Sequence, residues 1–124
     1  KQIRDFVFIQ DVIPFFDNVI TSSKFDNQTY NLGTGNGTTI MEVIEKFSKL
    51  LSVKPKIDFQ PERPGEIGNF VANTNFLLSE FGFKPETSIE DGLKDTISWL
   101  KFELIKVQPE LGKKLYCKES KIQN

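Results

Sequence analysis

The chain has 124 residues, enough for one small domain and too few for two of ordinary size. Its 16 Lys and Arg nearly cancel its 17 Asp and Glu, so a general affinity for nucleic acid has no electrostatic basis. Histidine is absent and Cys117 is the one cysteine, which excludes imidazole-built zinc sites, Ser-His and Cys-His catalysis, and any intrachain disulfide.

The opening, Lys1-Gln2-Ile3-Arg4-Asp5-Phe6-Val7-Phe8-Ile9, enters directly on an apolar, β-prone run. We expect a piece of a longer chain, with a strand over residues 5–9. Asp11 is then expected to cap a helix that buries Val12, Ile13, Phe16, Val19 and Ile20, with Pro14 in its first turn. Thr29-Tyr30-Asn31-Leu32 reads as a second short strand, ended by Gly33-Thr34-Gly35-Asn36-Gly37. Thr39 and Glu42 have capping-box spacing ahead of a helix with Ile40, Val43, Ile44, Phe47, Leu50 and Leu51 at helical period. Residues 56–60 alternate like a half-buried strand, and Pro61-Glu62-Arg63-Pro64-Gly65-Glu66 is a turn-rich loop. Asn69–Ala72 suggests another strand, followed by a brief helix to Phe81 that Gly82 stops. The last helix has capping signals at Thr87/Glu90 and Ser88/Asp91 and an apolar stripe of Ile89, Leu93, Ile97, Leu100 and Leu104. Beyond Pro109 the sequence is polar and Lys-rich. No run approaches the roughly 18 apolar residues of a membrane span. The lone cysteine suits a reducing, cytoplasmic compartment.

Five residues carry the candidate chemistry, each with a plainer alternative. Arg4, beside a strand, can reach a phosphate through its planar fork of donors, or pair with Asp5 on the surface. Arg63 sits in a loop stiffened by Pro61 and Pro64; that pre-ordering favours clamping an anion, although an ordinary loop cation fits as well. Glu66, after the flexible Gly65, can accept hydrogen bonds from a ribose diol or remain a solvated charge. Phe6 and Phe70 can stack on a base or sugar, or belong to the core with most of the 12 Phe. The glycine loop at 33–37 precedes a helix, as an anion cradle would. It is not G-x-G-x-x-G, because residue 38 is Thr, and no Gly-Lys-Ser/Thr follows, so we read it as a structural turn.

The order of these segments is more specific than any one of them. Arg4-Asp5-Phe6 through Asp11-Val12, Tyr30-Asn31-Leu32-Gly33-Thr34-Gly35, Arg63-Pro64-Gly65-Glu66, Phe81-Gly82-Phe83-Lys84-Pro85 and the helix through Trp99-Leu100-Lys101 form one series. This series resembles the carboxy-terminal, substrate-binding part of the extended short-chain dehydrogenases/reductases that act on nucleotide sugars, such as the UDP-glucose 4-epimerases, over about residues 3 to 102. The resemblance implies an α/β fold. Residues 1–37 would be the last strand/helix units of a Rossmann-type domain, residues 38–106 a small mixed α/β substrate-binding subdomain, and residues 107–124 a polar tail.

By the same resemblance, Arg4 and Arg63 would contact the substrate diphosphate, Phe6 would line the nucleotide site, and Glu66 would hold the ribose. Asp11 would be structural, as a helix cap. The implied ligand is a nucleoside-diphosphate sugar, and the implied reaction a UDP-sugar 4-epimerisation, with a 4,6-dehydration or reduction as the alternative. A non-catalytic nucleotide-sugar-binding or interaction module is the alternative outside the enzymes. Members of the family also carry a Gly-rich dinucleotide turn and a Tyr-x-x-x-Lys pair. Neither is present here, since Tyr30 is followed four positions on by Thr34 and Tyr116 by Ser120. NAD(P) and the catalytic groups are therefore expected in a preceding amino-terminal half, leaving these 124 residues inactive alone and without cofactor or metal ligands. The resemblance further implies a homodimeric enzyme that engages neither nucleic acid nor membrane.

Overall fold

The computed structural model describes residues 2–22 and 27–107; the polar tail from residue 108, with Cys117 and Tyr116, lies outside them. The elements are β1 (Ile3–Asp5), α1 (Ile9–Thr21), β2 (Gly37–Thr39), α2 (Ile40–Leu51), β3 (Asn69–Phe70), α3 (Asn75–Phe81) and α4 (Ile89–Val107). The chain divides after Ile89 into two compact units.

The first unit is organised on a small mixed sheet in the order β2-β1-β3. β1 runs antiparallel to β2, with Ile3 opposite Thr39 and Asp5 opposite Gly37, and parallel to β3, with Arg4 level with Phe70. Gly37 must be glycine for packing reasons. A Cβ there would lie 2.6 Å from Ile3 Cγ2 and 2.9 Å from Val71 Cγ2. β2 passes directly into α2, whose capping box forms in full: the Thr39 hydroxyl accepts from the Glu42 N–H at 3.1 Å, and the Glu42 carboxylate accepts from the Thr39 N–H at 2.7 Å. The Ile40 N–H at the head of α2 donates back to the Gln2 carbonyl at 3.1 Å, which ties that helix to the start of β1. Leu77 of α3 is the most deeply buried side chain, at 1 % exposure. Near it, Phe15 of α1 meets Phe81 and Phe83, and Tyr30 stacks on Phe76 at a 4.8 Å centroid distance. α3 ends on Gly82 in the left-handed region, φ +64°, as its position requires. In the second unit, α4 has Gly92 and Ile97 as its buried positions and carries the exposed pairs Lys94–Glu90 and Lys94–Asp91.

Several expected elements differ. The first strand is Ile3–Asp5 rather than 5–9, because β2 and β3 supply ladder partners at residues 3–5 and the chain turns at Phe6–Phe8 into α1. α1 therefore starts at Ile9 with Phe8 at its N-cap, not with Asp11 as cap, and Pro14 lies past its first turn. Asp11 ties the fold together differently. Its carboxylate accepts from the Thr87 hydroxyl at 2.8 Å and the Thr87 N–H at 3.2 Å, fixing the residues that lead into α4. Residues 29–32 and 56–60 form no strand, and 56–60 are all exposed, Ile57 only at 38 %. Alternation and β-propensity describe side chains, but a strand also needs a ladder. At 69–72 only Asn69–Phe70 pair; the Ala72 N–H turns to Asp5 instead, at 3.2 Å.

Candidate functional site

β1 places Arg4 at the centre of the sheet, half-buried, with its neighbours in sequence alternating in direction. The two sides of this strand do different work. Asp5 does not pair with Arg4. Its carboxylate gathers the Thr34 N–H at 2.9 Å, the Thr34 hydroxyl at 2.5 Å, the Gly35 N–H at 2.9 Å and the Ala72 N–H. Partial burial alone would raise the Asp5 carboxyl, but the bonds from Thr34, Gly35 and Ala72 outweigh it and hold its pKa below the ordinary carboxylate value. The 33–37 loop is thus an anion cradle whose anion is the chain's own Asp5, which gives physical form to the structural-turn reading. Buried Gly33 completes this cradle. A Cβ there would come within 2.6 Å of Asp5 Oδ2 and 2.8 Å of the Ala72 Cβ.

On the other side of β1, the side chains of Gln2 and Arg4 both reach toward the loop that follows Pro61. Arg4 Nη1 donates to the Ile3 carbonyl at 2.8 Å and the Gly68 carbonyl at 3.5 Å, and the same Gly68 carbonyl accepts the Ile3 N–H at 2.9 Å. These bonds use one nitrogen of a guanidinium that has five N–H donors. Gln2 Nε2 donates to Glu66 Oε1. The other carboxylate oxygen of Glu66 accepts from the Arg63 N–H at 3.3 Å, while the Glu66 N–H closes the turn onto the Arg63 carbonyl at 3.0 Å. Gly65, at φ +80° with open space around it, is needed here for its backbone conformation. Arg63 lies on this exposed turn.

Two of these residues are therefore tied to β1, Arg4 as part of it and Glu66 through Gln2 just before it, while Arg63 shares only its turn with Glu66. Phe6 stands one residue beyond β1 and is 40 % exposed; Phe70, level with Arg4 in the register, is 54 % exposed. Both rings are thus surface groups rather than core. Sequence reasoning missed Gln2 and Asp5, whose roles rest on partners 29 to 67 positions away in the chain. Among the described residues no group of three or more His, Cys, Asp or Glu gathers to hold a metal, and no helix is long and apolar enough to cross a membrane.

One cation, Arg4, thus lies on the sheet, and a second, Arg63, lies with the Glu66 carboxylate on the exposed turn beside it. The relatives and structural neighbours of the chain are UDP-glucose 4-epimerases and related NAD-dependent epimerases and dehydratases of the short-chain dehydrogenase/reductase type. UDP-glucose 4-epimerase 3 of rice (Oryza sativa) is 32 % identical over 103 residues, covering 80 % of this chain and 28 % of the rice enzyme. The crystal structure of a UDP-glucose 4-epimerase from Thermotoga maritima, with UDP-glucose, superposes with a TM-score of 0.73 at 27 % identity, over 83 % of this chain and 33 % of that one. The dTDP-glucose 4,6-dehydratase of Bacillus anthracis, in complex with NAD, covers 92 % of this chain and 34 % of its own at a TM-score of 0.68 and 26 % identity. The chain thus spans about a third of the length of the proteins it matches, and its α/β fold corresponds to part of their Rossmann-type architecture. No protein-family model matches it.

Proposed function

We propose that the chain is the nucleoside-diphosphate-sugar-binding part of an NAD(P)-dependent epimerase, with a UDP-sugar 4-epimerase as the preferred member. The observation that supports this reading best is the pair of ties at β1: Arg4 reaches the Gly68 carbonyl, and Gln2, two residues before it, holds the Glu66 carboxylate. Arg4 and Arg63 would neutralise the diphosphate. Glu66, with lone pairs left on both oxygens, would accept from the ribose hydroxyls. Phe6 would offer a ring face to the nucleotide. A 4,6-dehydratase is the second reading, favoured by the 92 % coverage of this chain in the match to the Bacillus anthracis enzyme.

The residues present do not fit a dinucleotide site of their own, because the N–H groups of the glycine loop already serve Asp5. We place the NAD(P) site and the catalytic groups outside these 124 residues, and residues 1–37 and 38–106 as portions of the Rossmann-type and substrate-binding regions. The complete enzyme would be a homodimer. Removing one charge-assisted anchor costs about 1.5–3 kcal/mol, so Arg4→Ala or Arg63→Ala should weaken UDP binding roughly ten- to a hundredfold in the complete protein. Titration calorimetry gives the answer, and unchanged affinity in both variants would refute the diphosphate assignment.

A further inference from the structure

We infer that Gln2 is the positioning residue for Glu66, and that it tunes how well the site distinguishes a nucleotide with ribose hydroxyls from one without them. The inference rests on the proposed ribose-binding role of Glu66. Glu66 belongs to a stretch, residues 51–71, that is exposed throughout, so packing does not hold its carboxylate. Two hydrogen bonds do. One comes from the Arg63 N–H within the same turn, and moves with the turn. The other comes from Gln2, 64 positions away, and ties the carboxylate to the sheet.

Gln2 is itself well held. Its carbonyl accepts the Ile40 N–H from the head of α2 at 3.1 Å, and the next residue, Ile3, is hydrogen-bonded to Gly68 at 2.9 Å. The amide is also chemically apt. It is neutral, so it orients the carboxylate without the charge compensation that a cation would bring. It occupies one oxygen and leaves acceptor capacity on both. A carboxylate aimed in advance loses less freedom when hydroxyl groups bind it, and a site built to accept from a hydroxyl discriminates against a ligand that lacks it. Arg4, two residues on, reaches Gly68 from the same strand, so the anion-binding and diol-binding groups share a frame while depending on different side chains.

The test compares UDP, 2′,3′-dideoxy-UDP and inorganic pyrophosphate as probes of the complete protein by titration calorimetry. Gln2→Ala should lower the preference for UDP over the dideoxy analogue roughly three- to tenfold, the entropy of one loosened side chain, and leave pyrophosphate binding unchanged. Gln2→Glu should lower it further, since it sets a second negative charge against Glu66. Glu66→Gln separates the two ideas. If it leaves the preference intact, the ribose reading is wrong and the inference falls with it. If it abolishes the preference while Gln2→Ala does not change it, the positioning role alone is overturned. An equal loss of UDP and pyrophosphate binding in Gln2→Ala would also overturn it, because it would mean that Gln2 acts through the fold at large.

Discussion

Asp5 shows how one carboxylate can hold a small fold together. It joins three segments distant in sequence: β1, the loop at 33–37 and the residues after β3. Removing it would leave three backbone N–H groups without their acceptor, and each such loss costs about 1–3 kcal/mol where the donor is buried. Asp5→Asn keeps one acceptor oxygen but loses the charge, so it should destabilise by less than Asp5→Ala. The pH dependence has a definite sign. Because the folded carboxyl is held below its ordinary pKa, the stability it adds is present above about pH 4 and is lost as pH falls through the lowered folded value. The melting difference between wild type and Asp5→Asn should therefore be largest near neutrality and shrink on acidification below about pH 4. A difference that stayed constant down to about pH 2.5 would show that the ionised form has no special role. Gly33→Ala attacks the same cradle from the steric side, and should destabilise by about 1–3 kcal/mol because the pinned carboxylate cannot move away.

At the scale of elements, legibility followed the range of the signal. The start of α2 was readable because its capping box needs only residues 39–42. The end of α3 was readable because Gly82 alone supplies the left-handed turn. Of the strands only β3 was, inside the expected 69–72; the others depend on residues far along the chain, as Ile3 pairs with Thr39 and Asn69. The site divided in the same way. Arg4, Phe6, Arg63 and Glu66 are candidates through the order of motifs in the family resemblance, whereas the anchoring roles of Gln2 and Asp5 exist only once the chain has folded. Thr39 lies where both kinds of signal meet, as strand partner of Ile3 and cap of α2. Thr39→Ala should lower stability by about 0.5–2 kcal/mol, and Thr39→Ser should recover most of it. Chemical denaturation reads this directly, and an unchanged midpoint in Thr39→Ala would mean that the helix start contributes little to the cooperative unit.

For the molecule as a whole, the main question is what covers α1. Ile9, Ile13, Phe16 and Ile20 recur at helical spacing and are 58 %, 52 %, 54 % and 71 % exposed. Phe15, between them in sequence, meets Phe81 and Phe83 as well as Phe16. The helix therefore carries a broad apolar surface of which only part is covered. A helix of that kind is normally buried in a larger core, and the relatives that match this chain are about three times as long. A contiguous apolar stripe left open to water drives association. The 124 residues by themselves are therefore expected to self-associate through this stripe at micromolar concentration, with a second copy as the cover. Ile13→Ser together with Ile20→Ser removes two of its four exposed apolar side chains without touching Phe15 or the capping contacts. This variant should sediment as a monomer and keep the helical circular-dichroism signal of the parent chain. Sedimentation velocity over a hundredfold range of concentration decides the matter. A parent chain that stayed monomeric throughout, or a double variant that associated as strongly as the parent, would rule out α1 as the contact.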